Sequence, residues 1–234
     1  MKKVVFTTLY LGKKPHPKFV SSLERCLPYI EELGWSHEVA IEENNPYISA
    51  ARCKLIRKAL DANPTAIVFL DYDVSWTPKS MGRLLEAEGD VVAGTYRFKT
   101  PKERYMGALE TGHTGRPLRR ESDGALLAYC APAGFLKVTP KAINEFAKKH
   151  PHLLFGPPMN PNLDMFNHGV IDGIWYGEDY AFCKRWKETG GDLWLLPDLD
   201  IDHSTGDVTF CGNFHNYLLN YNGEDDEETE EETF

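Results

Sequence analysis

Ala66-Ile67-Val68-Phe69-Leu70-Asp71-Tyr72-Asp73-Val74 is an apolar run interrupted near its end by two carboxylates, introduced by Pro64 and followed by Trp76-Thr77-Pro78. A run of this length without alternation reads as a strand buried on both faces, the pattern of an α/β sheet covered by helices. In open sheets of that kind ligands bind beyond the carboxyl ends of the strands, so Asp71 and Asp73 fall where a site is expected. Strand side chains alternate, so the spacing predicts both carboxylates on one ligand with Tyr72 turned away. Two like charges this close repel unless a cation joins them, and hard oxygen ligands suit Mg²⁺ or Mn²⁺. Asp-x-Asp is also frequent by chance, and a strand-end Asp often does no more than start a turn.

Upstream, Lys3 to Leu9 is a β-rich run and the expected first strand, followed by a loop at Gly12-Lys13-Lys14-Pro15-His16-Pro17. Phe19, Leu23, Cys26, Leu27 and Ile30 recur at helical spacing up to Gly34, with Pro28 expected to kink or stop the helix. His37 to Ile41 reads as a second strand. A helix opening near Asn44-Asn45-Pro46 carries Ile48, Ala51, Leu55 and Ala59 on one face and Arg52 on its flank. An Arg early in a helix that leads into the Asp71 strand can reach an anionic ligand, although spacing alone favours a solvated surface charge.

Downstream, Pro78 to Glu86 reads as a helix, Asp90 to Thr95 as a strand, and Phe98 to Cys130 as antiparallel embellishment with a turn at Ser122-Asp123-Gly124. Ala133 to Val138 resumes strand character, Pro140 to Lys149 is a helix, and His150 to Asp172 is a long irregular stretch of the kind that is more often functional than idle. Gly177-Glu178-Asp179 opens another helix, where acids suit the dipole, with Tyr180, Cys183 and Trp186 spaced to face a core. Leu193 to Leu196 is a strand, and the following Asp200-Ile201-Asp202-His203 reads as a turn carrying a possible imidazole ligand for Mn²⁺.

The net charge of -9 over 234 residues is concentrated in Glu224 to Glu232, which holds eight of the 35 acids; the other 27 meet 26 Lys and Arg. A body this near neutrality argues against a nucleic-acid binder that relies on phosphate neutralisation. The expectation is one domain over 1–222 and a disordered, solvating acidic tail over 223–234. Cysteines 26, 53, 130, 183 and 211 are odd in number and show no Cys-x-x-Cys, as in a reducing compartment. Neither a signal peptide nor a run of transmembrane length is read, and a cytoplasmic location is expected.

Joined together, Ser49-Ala50-Ala51-Arg52, Phe69-Leu70-Asp71-Tyr72-Asp73, Gly177-Glu178-Asp179-Tyr180-Ala181-Phe182-Cys183 and Asp202-His203 are far more specific than any one of them. From about Val4 to His203 the chain resembles the GT-A fold glycosyltransferases, in particular the compact single-domain enzymes of bacteria, large DNA viruses and phages. The resemblance implies a Rossmann-like, mostly parallel sheet flanked by helices, with a small antiparallel sheet on the acceptor side. It implies transfer of a sugar from a nucleotide-diphosphate sugar to a hydroxyl of a glycan or glycoprotein, with Mn²⁺ or Mg²⁺ as cofactor. Asp73 would then ligate the metal, Asp71 would hold ribose hydroxyls or reach the metal through water, and His203 would be the C-terminal metal ligand. Thr8, Leu9 and Tyr10 would border the base, Arg52 and Tyr72 would lie on the nucleotide, and Gly134 would shape the sugar pocket. Asp179, with Glu178 second, would take the acceptor's proton in an inverting reaction; in a retaining one neither need do so.

The rival enzyme class is a nucleotidyltransferase, which also uses a metal at a sheet edge, but Thr8-Leu9-Tyr10-Leu11-Gly12-Lys13-Lys14 is a poor version of the Gly-rich basic loop those enzymes carry. The other rival is a nucleotide- or carbohydrate-binding module without turnover, against which intact Asp71, Asp73, Asp179 and His203 count.

Overall fold

The computed structural model describes residues 2–12 and 14–220, so the expected acidic tail over 223–234 and the domain end at 222 lie outside the described residues. In chain order the elements are β1 (Lys2–Tyr10), α1 (Pro17–Glu32), β2 (Trp35–Glu43), α2 (Ile48–Asp61), β3 (Ala66–Asp71), β4 (Val74–Trp76), α3 (Pro78–Glu86) and β5 (Val91–Gly94). Then follow β6 (Ala108–Leu109), β7 (Leu126–Cys130), β8 (Phe135–Val138), α4 (Pro140–Lys149), β9 (Leu154–Phe155), β10 (Asn162–Leu163), β11 (Gly169–Ile171) and β12 (Ile174–Tyr176). The chain closes with α5 (Glu178–Glu188), β13 (Leu193–Leu196), β14 (Ile201–Thr205), β15 (Val208–Phe210) and α6 (Phe214–Asn220).

The central sheet has the order β2-β1-β3-β8-β5-β13-β7-β6. β2, β1 and β3 pair in parallel, as do β5 and β13, while β8 is inserted antiparallel between β3 and β5 and β7 runs against both its neighbours. The expected α/β architecture with helices on its faces is therefore present, mixed at two strands. The embellishment at β6 and β7 extends this sheet, and a separate antiparallel sheet, β15-β14-β4, stands at the end of β3.

The apolar run of β3 is continuous because both its faces are covered. Ile67 and Phe69 pack with Ile56 and Ala59 of α2, Ile143 and Phe146 of α4, and Phe182 and Trp186 of α5. Ala66, Val68 and Leu70 pack on the other face with Phe19, Cys26 and Ile30 of α1 and Met81 and Leu84 of α3. Alternation then sets Asp71 on the side of Ile67 and Phe69, the side of α2 and α5. The parity of β3 thus faces Asp71 toward α2 and α5.

Three local expectations are corrected. β3 ends at Asp71, and Tyr72-Asp73 form a turn before β4, so turn geometry rather than strand alternation aims Asp73. α1 runs through Pro28 to Glu32 without stopping, with Pro28 on the exposed side of the helix. His203 is on a strand, not in a turn: β14 pairs antiparallel with β4 in the register His203↔Val74, which carries the imidazole beside Asp73.

Candidate active site

Arg52 is buried at 3% exposure, which overturns the solvated reading that spacing alone favoured. The sequence signal for this is a second stripe on α2: Arg52 shares its face with the buried Ile56 and Ala59. Its guanidinium lies over the Phe166 ring at 4.8 Å, and Phe166 is delivered by the irregular stretch that follows α4. Nη1 donates to Asp179 Oδ1 at 2.7 Å and Nη2 to Asp71 Oδ1 at 3.2 Å, with Glu178 Oε1 3.8 Å from Nη1.

One guanidinium thus faces three carboxylates. Burial alone would weaken the hold of Arg52 on its proton, but the charges of Asp179, Asp71 and Glu178 outweigh it and raise its pKa. Asp71 is pushed above the ordinary carboxylate range, first by burial, with Arg52 opposing and Asp179 and Asp73 adding to the rise. Glu178 is also raised, by burial and then by the charge of Asp179.

Two of the three acids have further fixed partners. The second oxygen of Asp179 accepts from the Ala133 backbone N–H at 3.0 Å, and that of Asp71 from the Tyr96 hydroxyl at 3.3 Å. Gly134 closes this corner: a Cβ there would stand 2.2 Å from the Tyr96 hydroxyl and 2.3 Å from Asp71 Oδ2. Tyr96 is 1% exposed, and burial beside Asp71 and Asp179 keeps its phenol protonated, as a donor must be.

Asp73 and His203 form the adjoining group. His203 Nδ1 lies 2.8 Å from the Arg97 carbonyl, which can only accept, so Nδ1 carries a proton and Nε2 is the nitrogen that faces Asp73. Nε2 is 3.7 Å from Asp73 Oδ1. This is the arrangement of a metal-ligating imidazole whose other nitrogen is fixed by a carbonyl, and carboxylate plus imidazole is a donor set that suits Mn²⁺. Among the described residues no group of three or more His, Cys, Asp and Glu side chains is gathered as a complete metal cage. Asp71 is turned to Arg52 and Tyr96 instead, so Asp73 and His203 are the two side chains here that could hold an ion.

Sequence reasoning missed Tyr96 and Lys99, in an aperiodic segment after β5. Lys99 Nζ lies 2.5 Å from Asp73 Oδ2. Burial pushes the Asp73 pKa up, but the His203 hydrogen bond and Lys99 outweigh it and hold it below the usual value. The Tyr96 ring meets that of His203 at 4.8 Å, so Tyr96 joins the two groups.

The β1 residues lie alongside, in the register Thr8↔Leu70 and Leu9↔Asp71. Thr8 Oγ1 is buried without a hydrogen-bond partner among the described residues, and Tyr10 donates its hydroxyl to Glu43. The Tyr72 carbonyl accepts from the His16 N–H at 2.9 Å. The hairpin β11–β12, which leads directly into Gly177, exposes Val170, Ile174 and Trp175.

No family model and no curated protein sequence matches the chain. Among solved structures it is similar to A197 from STIV, with 15% identity over 91% of this chain and 95% of the other and a TM-score of 0.49. It is similar to GalNAc-T7 with UDP, GalNAc and Mn²⁺, with 11% identity over 86% of this chain and 43% of the other and a TM-score of 0.48. The catalytic domain of Drosophila beta1,4galactosyltransferase 7 in complex with xylobiose gives 11% identity over 94% and 73%, with a TM-score of 0.45. Similarities of this size follow the general course of the chain and assign no activity to it. Among the described residues no helix is long and apolar enough to cross a membrane.

Proposed function

We propose that the chain is a metal-dependent glycosyltransferase of the GT-A type, moving a sugar from a nucleotide-diphosphate sugar to a hydroxyl of a glycan or glycoprotein. The observation that carries this reading is the convergence of Asp71, Glu178 and Asp179 on one buried guanidinium, with Asp73, His203 and Lys99 beside them at the carboxyl edge of the sheet.

In this reading Asp73 and His203 hold Mn²⁺ or Mg²⁺, which when bound supplies Lewis-acid charge to the leaving diphosphate. Lys99 adds a second positive charge within reach of the same oxygens. Asp71 takes ribose hydroxyls or reaches the ion through water, and Thr8, Leu9, Tyr10 and Tyr72 border the nucleotide, with the unpartnered Thr8 hydroxyl available to it. Arg52 acts as a positioning residue, because its bonds go to Asp71 and Asp179 and tie donor-side and acceptor-side acids together.

Transfer forms a bond from the acceptor oxygen to the anomeric carbon and breaks that carbon's bond to the diphosphate, which keeps the electron pair. With inversion, the acceptor's proton goes to a carboxylate. Asp179 is assigned that role because Arg52 and the Ala133 N–H fix its orientation, with Glu178 second. Calorimetric titration with a panel of nucleotide sugars and nucleoside diphosphates, with Mn²⁺ and then with a chelator, tests the proposal. Metal-dependent binding of one nucleotide class is expected; binding of no nucleotide overturns it.

A further inference from the structure

Beside the site lies a cavity of about 980 Å³ between the segment that leads into β6, the hairpin after it, and α6. Among the described residues its lining includes Arg104, Arg116, Arg119 and His215 but no Asp or Glu. That is unexpected for a body whose charges nearly balance, and the neighbouring site collects acids. None of the three arginines has an acidic partner among the described residues. Arg104 lies over the Phe98 ring and Arg119 donates to the Gly124 carbonyl at 3.0 Å. The flanking acids are engaged elsewhere: Glu103 accepts from the Tyr105 hydroxyl at 2.8 Å, and Glu110 pairs with Lys187.

The cavity also has an aromatic wall. The Tyr105 ring lies 5.0 Å from Phe214 and 5.1 Å from Tyr217, a surface on which the C–H face of a sugar ring can pack. Its first wall is continuous with the site. Tyr105 bridges to Arg97, whose carbonyl accepts from His203, and the Met106 N–H donates to the Tyr96 carbonyl at 3.1 Å. Gly107 lets this wall approach the segment before Ala133: a Cβ there would meet the Cys130 carbonyl oxygen at 2.8 Å. Ala133 in turn holds Asp179.

We propose that this cavity receives the acceptor and selects one that carries negative charge, a sugar chain bearing phosphate or carboxylate groups. The inference rests on the glycosyltransferase reading for the word acceptor, and on the cavity alone for the anionic sugar. Guanidinium groups without an acidic partner among the described residues can pair bidentately with phosphate or carboxylate, and the rings hold the sugar to which it is attached.

The test is a titration of the full chain, without nucleotide, with glucose phosphate, glucuronate and glucose, followed by NMR. Binding of a charged sugar but not of glucose is expected, with glucose phosphate and glucuronate telling a phosphate acceptor from a carboxylate one. In a variant carrying Arg104→Glu and Arg116→Glu, both exposed positions, the affinity for the charged sugar should fall at least about tenfold with nucleoside diphosphate binding unchanged. Equal binding of glucose, or a charged sugar held as well by the variant, overturns the proposal. A full-length variant with the acids of 224–232 changed to amides completes the set: charged sugars that bind only to it would show the cavity's anion to be the chain's own, which overturns an external acceptor. Absence of metal-dependent nucleotide binding, read in the separate calorimetric titration, would remove the transferase reading and leave the cavity result standing.

Discussion

Arg52 Nη1 and Asp179 Oδ1 lie 2.7 Å apart across 127 residues of sequence. The pair is the hinge between two halves of the site, since the same guanidinium also holds Asp71 at the end of β3. Removing the cation leaves Asp71, Glu178 and Asp179 facing one another in a buried corner, and breaking such a cluster costs more than forming it gained. Arg52→Met keeps most of the volume over Phe166 and should lose about 3–5 kcal/mol at neutral pH in urea unfolding. The loss should shrink as pH falls. Asp71 and Glu178 already have raised folded pKa values, so the folded state takes up protons before the unfolded chain does, and acid relieves the repulsion. A variant as stable as the native chain at neutral pH would show that Arg52 is not what holds these acids.

Asp73→Ala removes one of the two side chains assigned to the metal and leaves Lys99 without its partner. Nucleoside diphosphate binding should lose its dependence on Mn²⁺, read by calorimetry with and without chelator. An affinity that still responds to Mn²⁺ in this variant would sink the metal assignment.

How much of this was legible depends on periodicity. β3 was readable because cover on both faces makes a strand apolar throughout, and Gly177-Glu178-Asp179 because acids open a helix. Arg52 was misjudged because α2 is buried over a wider face than expected, and the expected stripe through Ile48, Ala51, Leu55 and Ala59 hid the adjoining one through Arg52 and Ile56. Tyr96 and Lys99 stand in a segment with no period to read, and only its course past Asp71 and Asp73 gives them meaning. The antiparallel insertion of β8 was equally hidden, since a buried apolar strand reads the same in either direction. His203 looked like a turn residue because the strand that carries it is short and half polar.

Asp123 pins the hairpin between β6 and β7 to the rest of the domain. Arg120 donates to both of its oxygens, at 2.8 and 2.7 Å, and Arg83 of α3 donates to its carbonyl at 2.6 Å. The Arg120 hydrogen bonds hold the carboxyl well below the ordinary range. A depressed folded pKa gives stability that is present above the unfolded value of about 4 and is lost as pH falls below it. Asp123→Asn should therefore cost about 1–3 kcal/mol at pH 7, a difference that narrows below about pH 4. Urea unfolding across that range checks it, and a gap that stays constant with pH would exclude the ionic account.

Gly134→Ala and Gly177→Ala make a matched pair. At Gly134 the new methyl would meet Tyr96 and Asp71 at distances no real contact allows, whereas at Gly177 a Cβ meets no atom within 4 Å. The first should move Asp71 off its partners and cost about 1–3 kcal/mol together with nucleotide affinity. The second should cost less than about 1 kcal/mol, the scale of a changed helix cap. Equal effects in the two variants would mean that the close approach at Gly134 has no bearing on the site.

Asp179 and Glu178 can be told apart by their surroundings. Asp179 has both oxygens held, by Arg52 and by the Ala133 N–H, and its side chain is 16% exposed; that of Glu178 is 25% exposed and approaches Arg52 no nearer than 3.8 Å. A proton acceptor must be aimed at the hydroxyl it serves, and Asp179 is the more firmly held of the two, with one short bond to each oxygen. Asp179→Asn keeps an oxygen for Arg52, so donor binding should survive while transfer falls by about two to four orders of magnitude, the usual worth of a general base. Glu178→Gln should reduce transfer far less. Comparing kcat with donor Kd in both variants decides the matter: near-normal turnover without the Asp179 carboxylate would move the role to Glu178 or, if both variants turn over, point to a retaining reaction that needs neither.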